Sequence, residues 1–167
     1  MRATRVNFLY DQLLVKEPGT RERTPWHQDQ PYWTFAGRQL CSIWLPLDPV
    51  DQETSLKYVI GSHRWPQPFN PTHFKDGSGY EGTGLPPLPA IDETGATMTL
   101  RSWALEPGDC LVFHAMTVHG AGGNSSNERR RRALATRWAG DDVRYAPRAG
   151  EIGFPVASTG LKSGDPL

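Results

Sequence analysis

The 167-residue sequence has little cysteine, no net charge and no long apolar run. Its two cysteines, Cys41 and Cys110, are too few and too far apart for a disulfide framework or a zinc knuckle. Eighteen basic residues balance eighteen acidic ones, which argues against nucleic acid as a partner. No stretch approaches the ~20 apolar residues needed to span a bilayer, and the first residues lack a signal-peptide core. We therefore expect a cytoplasmic protein without a nucleic-acid or membrane partner.

Proline and glycine are abundant by contrast, with 15 and 17 residues, and they separate short β-branched and aromatic runs. This pattern is typical of an all-β sandwich or barrel. The composition, 37% hydrophobic and 22% charged, predicts one globular domain over residues 1–167. We predict eight strands, at residues 6–16, 26–29, 39–46, 55–60, 100–105, 110–113, 117–120 and 131–139. About eight strands with few helices suit a jelly roll.

Residues 64–97 form a longer connection than a compact domain normally uses. The segment is rich in proline and glycine, yet it also contains Trp65, Phe69, Phe74 and Tyr80. Loops of this size are often lids, and the aromatic residues favour a loop that closes over something apolar. The alternative is a surface excursion without a function.

The motif His27-Gln28-Asp29 is a candidate metal site. On a strand, His27 and Asp29 would project from the same face and Gln28 from the other. Two imidazoles and one carboxylate on one face of a metal are typical of non-haem Fe(II) oxygenases. His119 is the best candidate for the third ligand, and His114 is its competitor, with a hydrogen-bonding role expected for the latter. We expect His63 and His73 not to be ligands.

Several ordered segments carry a resemblance to a known family. They are VKEPG at 15–19, TPWHQDQPYW at 24–33, SIWLPL at 42–47, GSHRW at 61–65, HG at 119–120, RRA at 131–133 and GDDVRY at 140–145. Together they resemble the phytanoyl-CoA dioxygenase family over nearly the whole chain. The resemblance implies a double-stranded β-helix, the cupin-like jelly roll. It also implies an enzyme that uses Fe(II), dioxygen and 2-oxoglutarate to hydroxylate a small organic substrate, with succinate and CO2 as co-products.

When the family's functional residues are matched to positions of this sequence, the resemblance implies that His27, Asp29 and His119 are the catalytic metal ligands. It assigns Arg131 to the far carboxylate of 2-oxoglutarate and makes Trp44 and Lys16 further candidates to line that pocket. Strand alternation supports Arg131 independently, because the small Ala133 and Ala135 and the larger Arg137 would share its face. A register slip by one residue would transfer the role to Arg130 or Arg132.

The sequence departs from the family pattern at two places. Ala121 stands where the family often has a serine that bonds the co-substrate, and only 26 residues precede His27, whereas family members commonly carry a substantial N-terminal region. A minimal variant, a truncated reading frame or association with a second subunit over Leu134 and Trp138 would each account for this, so a homodimer is one expectation. Asp29 itself favours hydroxylation, because relatives that halogenate lack the carboxylate.

Two functions remain as alternatives at this point. One is a non-catalytic or weakly active cupin-like module that binds a metal or a ligand. The other is a jelly-roll isomerase or hydrolase with a different divalent metal, which would not need the Arg131 anchor.

Overall fold

The computed structural model describes residues 2–148 and 160–167. In these residues the protein is mainly β, with two short 3₁₀ helices at Gln30–Tyr32 and Ser62–Arg64. The strands are β1 (Asn7–Lys16), β2 (Thr24–His27), β3 (Phe35–Ala36), β4 (Leu40–Pro46), β5 (Leu56–Val59), β6 (Leu100–Arg101), β7 (Leu111–His114), β8 (His119–Ala121), β9 (Arg131–Ala139) and β10 (Arg144–Tyr145). The described part of the chain contains no helix with the length and hydropathy of a membrane span.

Two four-stranded antiparallel sheets form the body of the fold. Their strand orders are β1-β9-β4-β7 and β2-β8-β5-β6, and β10 pairs with β3 in a small third sheet. Strands that are neighbours in a sheet come from distant parts of the sequence, as they do in a jelly roll. The predicted fold class is therefore confirmed.

The central strand β9 explains how the interior is built. Its residues alternate regularly, with every odd-numbered position from Arg131 to Ala139 buried and the even-numbered ones more exposed. Its inward Ala133 and Ala135 meet Trp44 of the same sheet and Tyr58 of the other sheet in the main hydrophobic cluster. Because these alanines are small, the space between the sheets is not filled by β9 and a cavity remains there.

One predicted strand is shorter than expected, and two short strands were not predicted. The predicted strand 100–105 pairs only at Leu100–Arg101, and its end contributes a single bridge from Leu105 to Val50. Trp103 between them is 45% exposed, so its β propensity is not matched by burial or by a partner strand. The strands β3 and β10 were not predicted, since two residues are too few to show alternation.

Residues 65–99 carry no helix or strand in the described structure apart from an isolated bridge between Thr72 and Gly79. This stretch includes most of the predicted loop at residues 64–97. It packs back onto the body of the domain: the backbone N–H of Phe69 donates to Gln28 Oε1 at 3.0 Å, and the hydroxyl of Tyr32 donates to the carbonyl of Thr72 at 2.6 Å.

Candidate functional site

Three buried side chains converge between the sheets. The potential ligand atoms of His27, Asp29 and His119 all lie within 4.8 Å of one another. The two histidines meet because they are register partners in the antiparallel pair of β2 and β8. Pairing of these strands therefore brings together two potential metal ligands that are 92 positions apart in sequence.

Asp29 reaches this cluster by a different route from the predicted one. Strand β2 ends at His27, and Asp29 has helical backbone angles (φ −71°, ψ −45°) as the residue that caps the first 3₁₀ helix. Its backbone N–H donates to the carbonyl of Ala115 at 2.9 Å. The prediction that His27 and Asp29 share one face of a strand is thus wrong. Pro31 is the physical reason, because proline in the first helical turn favours a helix start over a continuing strand.

Both histidines are oriented by backbone carbonyls. His27 Nδ1 lies 2.8 Å from the carbonyl oxygen of Pro25, and His119 Nδ1 lies 2.9 Å from that of Thr117. A carbonyl oxygen only accepts, so each Nδ1 carries a proton, and each Nε2 is the nitrogen available to bind a metal. Those Nε2 atoms lie 3.4 Å and 3.7 Å from Asp29 Oδ1, so the three potential ligand atoms face a common point.

The protonation states suit a metal centre. Burial, followed by the neighbouring His27, lowers the pKa of His119 to about 4, so its imidazole is neutral near pH 7. Burial alone would raise the pKa of Asp29, but the neighbouring His119, His27 and Arg137 together bring that pKa well below its usual range. Ser42 Oγ also donates to Asp29 Oδ2 at 2.6 Å. Asp29 is therefore an ionised, firmly held carboxylate.

The remaining histidines lie outside this cluster. His114 uses both ring nitrogens, with Nε2 2.8 Å from the carbonyl oxygen of Arg38 and Nδ1 accepting from the backbone N–H of Met116 at 3.0 Å. His63 lies against the ring of His114, at 5.9 Å between centroids. His73 stacks on Tyr80 in the long loop, at 3.8 Å. Among the described residues, the group of potential metal ligands contains none of the three.

A cavity of about 420 Å³ opens beside the three-residue cluster. Both sheets and the long loop contribute to its wall. The predicted co-substrate residues Lys16, Trp44 and Arg131 all line it. Aromatic side chains form much of the rest, namely Tyr10, Tyr32, Trp33, Phe74, Tyr80 and Phe113.

Arg131 is the arginine of its run that reaches this cavity. It is 5% exposed, one Nη donates to the carbonyl of Thr54, and its Nε has no partner among the described residues. Burial lowers its pKa to about 10, so the guanidinium still carries its charge at neutral pH. Arg130 and Arg132 lie outside and pair with the surface carboxylates of Glu17 and Asp48, at 3.0 Å and 2.7 Å. The slipped registers considered from the sequence therefore do not occur.

Lys16 and Trp44 flank Arg131. Lys16 is its register partner on β1, and its Nζ donates to the carbonyl oxygens of Glu22 and Gly122 at 2.6 Å and 2.8 Å. Burial and then Arg131 lower the pKa of Lys16 to about 8. The Arg131 guanidinium carbon lies 5.9 Å from the centre of the Trp44 ring. Ala121, at the place of the expected serine, packs in the hydrophobic cluster.

Three side chains at the site were given no role at the metal cluster by the sequence analysis. Ser42 holds Asp29, the ring of Phe74 lies 4.8 Å from that of His27, and Arg137 is buried against the ring of Tyr10 at 5.2 Å. Alternation along β4 from Trp44 could have placed Ser42 on the inner face of the sheet. Alternation along β9 places Arg137 on the inner face in the same way. Phe74 lies in an irregular loop, where no sequence period applies.

Comparison with known proteins identifies the lineage of this site. A sequence profile described as phytanoyl-CoA dioxygenase (PhyH) matches residues 2–133, which include all three residues of the cluster and Arg131. The chain belongs to this family. The peroxisomal phytanoyl-CoA dioxygenase of Bos taurus is a relative, 26% identical over 143 residues that cover 82% of this chain and 40% of the relative. The 1-deoxypentalenic acid 11-beta-hydroxylase of Streptomyces arenae is 33% identical over 98 residues, which cover 58% and 33%.

Solved structures share the fold of this chain. The epimerase SnoN, in complex with Fe3+, alpha ketoglutarate and nogalamycin RO, superposes with a TM-score of 0.70 at 24% identity over 97% of this chain and 62% of that one. EvdO2 from Micromonospora carbonacea var. aurantiaca, complexed with 2-oxoglutarate, has a TM-score of 0.63 at 26% identity, over 94% and 58%. The chain thus spans about 40% of the bovine relative and about three fifths of these structures.

Proposed function

We propose that this chain is an Fe(II)- and 2-oxoglutarate-dependent dioxygenase that hydroxylates a small organic substrate. Overall, a C–H bond of the substrate, dioxygen and 2-oxoglutarate would give the hydroxylated product, succinate and CO2. One observation carries the proposal: two buried histidines and one ionised carboxylate converge at a cavity that also contains a buried arginine free of any acidic partner among the described residues. Membership of the phytanoyl-CoA dioxygenase family supports it.

The donor set fits Fe(II). Two imidazole nitrogens and one carboxylate oxygen are the ligands of non-haem iron oxygenases, and they leave the remaining coordination positions open. His27, Asp29 and His119 would hold the ion with little rearrangement, since the carbonyls of Pro25 and Thr117 already orient both rings. This supports iron as the resident metal.

Arg131 fits the far carboxylate of 2-oxoglutarate. A planar guanidinium can make two parallel hydrogen bonds to a carboxylate, and the free Nε of Arg131 provides a donor for such a pair. Lys16 adds a second positive charge beside it, while Trp44 packs against the guanidinium. The co-substrate would then lie between Arg131 and the metal ligands.

Iron and 2-oxoglutarate, when bound, supply an oxidant strong enough for an unactivated C–H bond. The protein residues bind, orient and exclude water. Ser42 keeps Asp29 in one orientation, and Phe74 and Tyr32 cover the ring of His27. We propose that residues 64–97 act as the lid of this single domain, because Phe69, Thr72 and Phe74 of this segment contact residues next to the metal cluster.

The proposal is tested with anaerobic protein, Fe(II) and 2-oxoglutarate. We expect a weak visible charge-transfer band and, after oxygen is admitted, slow succinate formation without added substrate. His27→Ala should abolish both, whereas His63→Ala, a change at a histidine outside the site, should retain both. Iron bound without the band would refute the co-substrate role. A band without any succinate formation would instead favour the non-catalytic binding module.

We also propose that the chain forms a homodimer through the outer face of the sheet β1-β9-β4-β7. Phe8, Leu13, Val15 and Val112 on this face are 44–63% exposed, and Phe8 packs edge-on against Trp138. Exposed apolar groups of this extent favour association. Leu13→Glu should convert a dimer to a monomer in sedimentation velocity, and Arg101→Glu on the other sheet should not. A monomeric wild type would contradict this.

The absence of a nucleic-acid or membrane partner and the cytoplasmic location stay predictions.

A further inference from the structure

A second inward arginine, Arg137, lies in the cavity wall and has no role in the proposed binding of iron and 2-oxoglutarate. It follows Arg131 by six positions on the same face of β9, so the two α-carbons are about 20 Å apart at the rise of a β-strand. Both side chains line the cavity. The two guanidinium groups therefore belong to different ends of it.

Arg137 lies at the metal end. It is the register partner of Ser42 on β4, and Ser42 is the residue that donates to Asp29 at 2.6 Å. Its charge is also one of the influences that lower the pKa of Asp29. A group bound by Arg137 would consequently lie close to the open face of the metal cluster.

The guanidinium of Arg137 is buried without a full set of partners. It is 7% exposed, Nη1 donates to the carbonyl of Ala135 at 2.8 Å, and Nη2 reaches Gln12 Oε1 only at 3.5 Å. Its Nε has no partner, and no carboxylate forms an ion pair with it within residues 2–148 and 160–167. A buried charge in this state is unfavourable unless a ligand completes it.

The net charge of the cavity wall also favours an anionic ligand. Four cationic side chains line the cavity, Lys16, Lys75, Arg131 and Arg137, and Asp29 is the one acidic side chain among the described residues that line it. Fe(II) would add two positive charges and a 2-oxoglutarate dianion would remove two. The positive excess thus persists after both have bound.

We propose that Arg137 binds a carboxylate of the substrate, so that the substrate class is a small organic acid with an apolar body. This inference rests on the proposed dioxygenase function. The apolar body would pack against the aromatic wall, to which Trp33, Phe74 and Phe113 belong. The carboxylate beside Arg137 would fix which carbon of that body faces the metal.

The test uses anaerobic wild-type protein saturated with Fe(II) and 2-oxoglutarate. Matched probes are added, namely cyclohexanecarboxylate, phenylacetate and 4-phenylbutyrate, each beside its methyl ester. Binding is followed by the change in the charge-transfer band and by thermal shift. We expect at least one acid to bind about tenfold or more tightly than its ester, as expected for a charge-assisted hydrogen bond.

Variants assign the effect to one residue. Arg137→Gln should reduce the affinity for the acid to that for the ester, and Arg137→Lys, which keeps the charge without the planar fork, should give an intermediate value. Arg130→Gln changes the net charge equally on the outer surface and should leave the preference unchanged. If circular dichroism shows that Arg137→Gln does not fold, the comparison of acids with esters in the wild type and in Arg137→Lys still tests whether Arg137 binds the carboxylate.

The outcomes separate this inference from the function on which it rests. No band in the wild type would refute the proposed function and the inference with it. A normal band with equal binding of acids and esters, or with no acid bound, would overturn the inference alone. Competition of the acids with 2-oxoglutarate, or loss of the band in Arg137→Gln with iron retained, would also overturn it, since the site would then belong to the co-substrate.

Discussion

Replacing Arg131 by glutamine tests the co-substrate end of the site. The residue is 5% exposed, one Nη already bonds the carbonyl of Thr54, and the remaining donors face a cavity with no acidic side chain near that end. Glutamine keeps a polar N–H donor on a shorter side chain but removes the charge and one of the two parallel donors. The change therefore isolates the contribution of the guanidinium.

The expected magnitude follows from the two bonds that the fork can make. A hydrogen bond to a charged group contributes about 1.5–3 kcal/mol, so losing one such bond together with the charge should weaken 2-oxoglutarate binding by about 2–3 kcal/mol. This corresponds to roughly 30- to 150-fold in the dissociation constant. Because Lys16 remains charged beside the site, we expect the loss of 2-oxoglutarate affinity to be near the lower value, roughly 30-fold.

The assay is an anaerobic titration of 2-oxoglutarate into the Fe(II)-loaded protein, followed by the charge-transfer band. Arg132→Gln is the matched control, because its side chain lies outside and pairs with Asp48. Iron content should be equal in both variants. A change of less than threefold for Arg131→Gln, with iron bound, would refute the reasoning and would favour an enzyme that uses a different divalent metal without 2-oxoglutarate.

Three further predictions concern the metal and the loop. Ser42→Ala should weaken Fe(II) binding about 10- to 100-fold in a chelator competition, because Asp29 loses the donor that orients it, and equal affinity would contradict this. The pKa of His119 in the folded protein, about 4, is below its value in the unfolded chain, so the unfolded chain binds more protons between these two values. The melting temperature of the metal-free protein should therefore fall as pH falls from about 6.5 towards 4. His119→Gln should flatten this dependence of the melting temperature on pH. Phe74→Ala should raise the ratio of succinate to hydroxylated product by admitting water beside His27, whereas Glu81→Ala, a change at an exposed residue of the same loop outside the cavity wall, should not.

The residue types of the site could be predicted from the sequence, because the motifs consist of these residue types. His27, Asp29 and His119 were predicted as a cluster and the structure brings them together. Alternation along β9 likewise predicted that Arg131 and Arg137 face inward, since a strand has a fixed period of two. Only their use as ligands remains for experiment.

The route of Asp29 to the cluster could be predicted only in part. Pro31 favours a helix start after Asp29, but the position of Asp29 also depends on the bond from its backbone N–H to the carbonyl of Ala115, a residue far away in sequence. The same holds for the two-residue strands β3 and β10, whose pairing requires Phe35 and Tyr145 to meet. Local propensity contains no information about such partners.

The fold class, the residue types of the three-residue cluster and the face of each arginine could thus be predicted from the sequence, because these follow from residue chemistry and strand period. That Ser42 holds Asp29 and that Arg130 and Arg132 are neutralised outside became visible with the packing of the sheets. This packing also leaves Arg137 buried without an acid among the described residues. The physical reason is that pairing of a charge depends on distances between strands that are remote in sequence, and these are set when the sheets close around the cavity.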